Sequence, residues 1–232
     1  MKTIHTAIAV AALLTSAGAH ADTIATWTFE GSLPATSGPI NPETGAGQAS
    51  GSHQNAATVY SSPAGNGSSH SFSANLWNVG DFFQFKVDAT SFQDLEISWD
   101  QISSNTGPRD FKLAYSTDGT NFLDFETYAV LANAGANVWS SGGAHNSAAT
   151  MSADLSVVPS LNNAATLYFR LIDLDTTSAN GGTVGNTGTN SGTDRVDNFT
   201  VTGVSSVPLP AAVWLLGSGL AALAGVRRRR PQ

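Results

Sequence analysis

Cysteine is absent from this 232-residue chain. That excludes disulfides, thiolate zinc sites, cysteine nucleophiles and c-type haem attachment. Cations are scarce as well, with ten Lys and Arg against 17 Asp and Glu. Half of those cations lie near the ends, as Lys2, Arg227, Arg228, Arg229 and Arg230. The stretch 22–206 keeps only Lys86, Arg109, Lys112, Arg170 and Arg195 against all 17 carboxylates, a net charge of −12. No basic stripe exists to track a phosphate backbone, so nucleic acid is an unsuitable partner. Histidine is sparse and scattered: His5 and His20 belong to the leader, and His53, His70 and His145 share no metal-binding spacing. No G-x-S-x-G elbow is present. Surface-helix formers are few and no segment holds a 3.6-residue period over ten residues, which disfavours helices.

What is present begins with two address segments. Lys2, the short apolar run 8–14 and Ala19-His20-Ala21 read as a secretory signal over residues 1–21, handled by the Sec translocon and signal peptidase. At the other end, Val207, Pro208, Leu209 and Pro210 lead into an uncharged run that stops at Arg227, Arg228, Arg229 and Arg230. Residues 209–226 would span roughly 27 Å as a helix at about 1.5 Å per residue, near the thickness of a bilayer core. The arginines then mark the cytoplasmic side. This order over 207–232 resembles the PEP-CTERM sorting signal of Gram-negative bacteria, in a variant with Leu209 where the usual motif has glutamate. The resemblance implies a transient membrane anchor, cleavage by an exosortase, and a final place at the cell surface or in the extracellular matrix.

Between the addresses, 22–206 has the length of one domain. Strict alternation is clearest at 81–88, with Phe83, Phe85 and Val87 on one face and Phe82, Gln84 and Lys86 on the other. Residues 94–100 repeat it with Leu95, Ile97 and Trp99, residues 109–116 with Phe111, Leu113 and Tyr115, and 165–173 with Leu167, Phe169 and Leu171. Period two marks sheets with one buried and one wet face. Asp118-Gly119 supplies a hairpin turn before a returning strand at 122–127. Further strands are expected at 23–30, 57–60, 71–74, 136–140, 151–155 and 195–204. The stretches 31–67 and 176–193, rich in Gly, Ser, Thr and Asn, are expected to be loops. The fold class is all-β, a two-sheet antiparallel β-sandwich of jelly-roll type.

Trp27-Thr28-Phe29-Glu30, the runs 101–111 and 115–122, and Arg195 to Gly203 are similar to the jelly-roll ectodomains that precede PEP-CTERM signals. The resemblance implies an exported, non-enzymatic surface or matrix protein associated with exopolysaccharide in a biofilm. Likeness to extracellular carbohydrate-binding jelly rolls further implies a structural calcium joining the first and last strands, where Glu30, Asp194 and Asp197 stand. Asp173 and Asp175 form a second acidic pair, but Ser178 occupies the sixth position where an EF-hand loop has glycine. Trp77 and Trp139, beside loops, are the rings expected to be open for sugar stacking. The rival classes are a carbohydrate-binding module with a defined glycan and a cryptic glycoside hydrolase, which would need two carboxylates facing across a cleft.

Overall fold

The computed structural model describes residues 20–206 except 32, 188 and 189; leader residues 1–19 and the segment 207–232, with Val207–Pro210 and Arg227–Arg230, lie outside the described residues. In chain order the strands are β1 (Ala21–Trp27), β2 (Thr44–Gly45), β3 (Gly47–Ser52), β4 (Tyr60–Ser61), β5 (Phe72–Asn75), β6 (Phe82–Val87), β7 (Phe92–Ser103) and β8 (Asp110–Ser116). There follow β9 (Leu123–Ala129), β10 (Leu131–Ala132), β11 (Thr150–Asp154), β12 (Leu167–Asp173), β13 (Asn186–Thr187), β14 (Asn190–Ser191) and β15 (Thr193–Ser205). Only three short 3₁₀ turns interrupt them among the described residues.

Two antiparallel sheets form the sandwich. In the eight-stranded sheet the long strands β7 and β15 lie side by side at the centre. β11 and the parallel β10 flank β7, while β1 and β5 share the other side of β15. The second sheet has five strands in the order β3-β6-β12-β8-β9. The alternating rows meet between the sheets: Phe83, Phe85, Val87, Leu95, Ile97, Trp99, Phe111, Leu113, Leu167, Phe169 and Leu171 are all buried. Phe85 of one sheet stacks flat on Phe199 of the other at 3.5 Å between ring centres, with Trp27 edge-on to both. Offset and edge-on ring pairs add about 0.5–1.5 kcal/mol each beyond their area burial. Among the described residues every strand pairing falls within 21–205, from Ala21 paired with Val204 to Ser205 paired with Phe92.

Two expectations need correction. Residues 136–140 are not a strand: Gly135–Asn137 is a 3₁₀ turn, after which Trp139 packs under the loop. Glycine and asparagine there favour a turn. The glycine- and serine-rich stretch 31–67 is not all loop either, since Gly47–Ser52 forms the edge strand of the five-stranded sheet. Its small residues are required by close neighbours. A Cβ at Gly47 would lie 2.8 Å from the Trp27 ring, and one at Gly51 would strike Tyr60.

Candidate functional site: the open face of the five-stranded sheet

The outward residues of the five-stranded sheet form a grid fixed by strand register. Gln48 pairs with Lys86 and Ser50 with Gln84 across β3 and β6. Lys86 pairs with Tyr168, Gln84 with Arg170 and Phe82 with Ile172 across β6 and β12. Tyr168 then faces Ser116, and Ile172 faces Lys112, on β8. Because side chains alternate along a strand, burying Phe83, Phe85 and Phe169 inside sends Phe82, Gln84, Lys86, Tyr168 and Arg170 outward. All five are half-buried, as is Phe122.

Arg170 is the centre of this surface. Its guanidinium carbon lies 4.0 Å from the Phe82 ring centre and 3.6 Å from that of Phe122. Its Nε donates to Gln84 Oε1 at 2.8 Å. Partial burial pulls its pKa down from the usual value. Lys86 Nζ sits 5.7 Å from the Tyr168 ring centre, and Phe122 meets Tyr168 edge-on at 6.5 Å. The 116–121 turn walls one side. Gly119, at φ +74°, brings its backbone so near Tyr168 that a Cβ would stand 2.8 Å from the ring. Asp118 holds that turn by accepting the backbone N–H groups of Thr120 and Asn121 at 2.8 Å, and these bonds keep its carboxyl well below the usual range. At the other end a depression of about 340 Å³ opens beside Lys86, lined by Gly47, Gln48, Asp88 and Thr166.

Aromatic faces beside fixed polar groups suit a ligand with both C–H faces and hydroxyls, and the depression is at the small end of ligand-site volumes. Alternation at residues 81–88 already assigns Phe82, Gln84 and Lys86 to the wet face, but nothing local marks Phe122 or Arg170 as their neighbours. That follows only from the β6-β12-β8 order and the turn that returns the chain over Tyr168.

The sequence-derived aromatic candidates fail on burial. Trp77 is 1% exposed, packed edge-on against His53, Phe83 and Phe111, with its Nε1 donating to the Ala74 carbonyl at 2.9 Å. Trp139 is 4% exposed, packed with Ile102 and Ala149 and with the Arg195 guanidinium 5.1 Å from its ring. Neither ring is available for stacking.

Of the three expected calcium ligands, Glu30 and Asp197 meet the same loop at residues 65–70, and Asp194 stands apart. Alternation along β15 turns Asp194 toward the core and Asp197 to the opposite side. Asp194 accepts from Gln101 Nε2 and Ser103 Oγ, both at 2.9 Å, and burial pushes its carboxyl well above the usual range despite those bonds. Asp197 accepts from Ser68 Oγ at 2.7 Å and from the backbone of Asn66 at 2.9 Å and Asn198 at 2.8 Å. Burial raises it to about 6 against the pull of those donors. Glu30 is exposed and accepts the His70 N–H at 2.7 Å. Each carboxylate accepts from protein donors, and no group of three His, Cys, Asp or Glu side chains comes together among the described residues.

The acidic pairs differ from each other. Asp94 and Glu96 are both exposed on the wet face of β7, as alternation requires. Asp173 and Asp175 line a cleft of about 340 Å³ with Gln54, Trp77 and Thr176. Asp173 is 2% exposed, and neither of its oxygens has a hydrogen-bond partner or accessible surface. Burial first, then the charges of Asp81 and Asp175, push it up to about 7, whereas the Thr177 N–H holds Asp175 below its usual range. Divergent carboxyl environments are what acid–base catalysis uses. Here the enclosed oxygens of Asp173 offer a substrate in the cleft no atom to contact.

No protein-family model matches this chain, and neither does any curated protein sequence. Among solved structures it is similar to the K2 cleaved adhesin domain of Lys-gingipain, at 14% identity and a TM-score of 0.43 over 78% of this chain and 99% of that one. It is also similar to the CBM22-1–GH10 modules of Clostridium thermocellum xylanase 10B, complexed with xylohexaose, at 14% identity and a TM-score of 0.44. That match covers 82% of this chain and 30% of the other. A third is CtCBM11, at 12% identity and a TM-score of 0.37 over 84% of this chain and all of that one.

Proposed function

We propose that this chain is an exported, non-enzymatic polysaccharide-binding protein whose contact surface is the open face of its five-stranded sheet. The observation that carries the reading is the half-exposed Tyr168 ring, placed by register beside Gln84, Lys86 and Arg170, with the Arg170 guanidinium held on the Phe82 and Phe122 rings. A sugar ring lays its C–H face on the Tyr168 ring while its hydroxyls bond the flanking amide and cations. The leader 1–21 and the exosortase-type signal 207–232 complete the reading: they deliver the domain through the inner membrane to the surface or matrix, where exopolysaccharide is the partner.

The binding half is tested by affinity electrophoresis of the domain 22–206 through gels carrying neutral and acidic polysaccharides. The wild type is expected to be retarded by at least one, and Tyr168→Ala to lose up to about tenfold in affinity, as one aromatic stacking contact is worth about 0.5–1.5 kcal/mol. Free migration of the wild type through every polysaccharide would sink the proposal. The sorting half is tested by fractionation in cells that carry an exosortase. The mature protein should lack Arg227–Arg230 and leave the inner membrane; a stable full-length form ending at Gln232 would make it a plain anchored protein.

A further inference from the structure

The five cations of the domain are not used alike. Arg109 pairs with Asp110 at 2.8 Å, and Lys112 pairs with Asp124 at 2.9 Å. Arg195 is largely buried, with one guanidinium nitrogen donating to the Ala64 carbonyl at 2.7 Å and the group lying over Trp139. Lys86 and Arg170 have no carboxylate within salt-bridge distance among the described residues, and both stand on the open sheet face. They are diagonal neighbours across β6 and β12, a relation that sets residues about 7–8 Å apart.

Building on the polysaccharide reading, we infer that the glycan is acidic, a polymer bearing sugar carboxylates, and that Lys86 and Arg170 grip one such carboxylate beside the aromatic rings. The Nε of Arg170 is committed to Gln84, which fixes the guanidinium plane and leaves its terminal N–H groups to donate. Phe82 and Phe122 hold that plane from two contacts, so little side-chain freedom is lost on binding. Among the described residues no acid forms an ion pair with Lys86 or Arg170. Asp124 is paired with Lys112, Asp118 is consumed by its own turn, and exposed Asp88 bonds Thr90. The domain's net negative charge does not preclude an acidic ligand. Contact at the grip is direct, whereas carboxylates beyond about 8 Å are screened at physiological ionic strength. The same net charge does disfavour densely charged phosphate polymers, which carry one negative charge per about 1.7 Å in duplex DNA.

The test compares polygalacturonate with its fully methyl-esterified form, which keeps the sugar backbone and caps the carboxylates. Full-length protein, purified in detergent, should bind polygalacturonate about tenfold or more tighter than the ester, since one charge-assisted contact is worth roughly that factor. Lys86→Gln with Arg170→Gln should erase the preference. Arg170→Lys should keep part of it, and Arg109→Gln, a charge loss outside the grid, should keep all of it. Equal affinity for acid and ester would overturn the acidic assignment and leave the polysaccharide reading intact. Binding to dextran sulfate but not polygalacturonate would overturn the carboxylate assignment. Binding to no glycan at all would remove the underlying reading as well. Circular dichroism separates a misfolded Arg170→Gln from a true loss, and Lys86→Gln alone should still lower the preference.

Discussion

At the scale of single residues, the buried carboxyls set how this domain responds to pH. Asp173 is raised to about 7 and Asp197 to about 6, chiefly by burial, and burial also pushes Asp194 well above the usual carboxylate range. An unfolded aspartate ionises near 3.9. Between about pH 4 and 7 the folded state therefore holds more protons than the unfolded one, and stability must fall as pH rises through that window. His53 opposes this. Burial lowers it to about 4, so its contribution is lost as pH drops below about 6.5. Three carboxyls outweigh one imidazole, so the melting temperature is expected to peak on the acid side of neutrality. Asp173→Asn, which mimics the protonated form, should flatten the difference between pH 5 and pH 8, as read by thermal melts. A variant with an unchanged pH profile would mean Asp173 is ionised and partnered in the folded protein. None of this was legible in the sequence, where Asp173 and Asp175 look like equivalent neighbours. Their difference comes from the end of β12, where one side chain enters the sandwich and the other meets a loop N–H.

At the scale of elements, alternation carried the reading furthest. The inward rows of β6, β7, β8 and β12 are legible because large apolar residues recur every second position and the opposite face is polar. Phe169→Ala should accordingly cost about 3–5 kcal/mol in denaturant unfolding, and Glu96→Ala on the wet face under about 0.5 kcal/mol. Equal costs would invert the assignment of faces. β3 was hidden because its residues are small for a tertiary reason: Trp27 and Tyr60 lie against Gly47 and Gly51, and only Ala49 enters the core. Trp77 and Trp139 were misread for a related cause. Loop flanks suggest exposure, but loops that fold back over a sheet end seal the rings beneath them. The 116–121 turn is the element that links fold to site. Gly119→Ala would strain a positive-φ position and press on Tyr168, and is expected to cost about 1 kcal/mol or more. It should weaken glycan retardation without melting the sheet. Retardation equal to wild type would place the binding surface away from this turn.

At the scale of the whole molecule, the two sheets do different work. The eight-stranded sheet is covered in part on its outer side by the loop that Asp197 holds through Asn66 and Ser68. The five-stranded sheet leaves its outer grid half open. The all-β sandwich and the acidic, cysteine-free character of the domain were readable from composition and period. The contact face was not, because it joins β6, β12 and a turn that are distant in sequence and adjacent only by topology. Polysaccharide is expected to bind at that face. The most direct test of this is a backbone-amide NMR titration of labelled 22–206 with the polysaccharide that retards it most. Shifts should concentrate at Gln84, Lys86, Tyr168, Arg170 and the 117–121 turn. Shifts confined to the cleft around Gln54, Trp77 and Asp175 would contradict it.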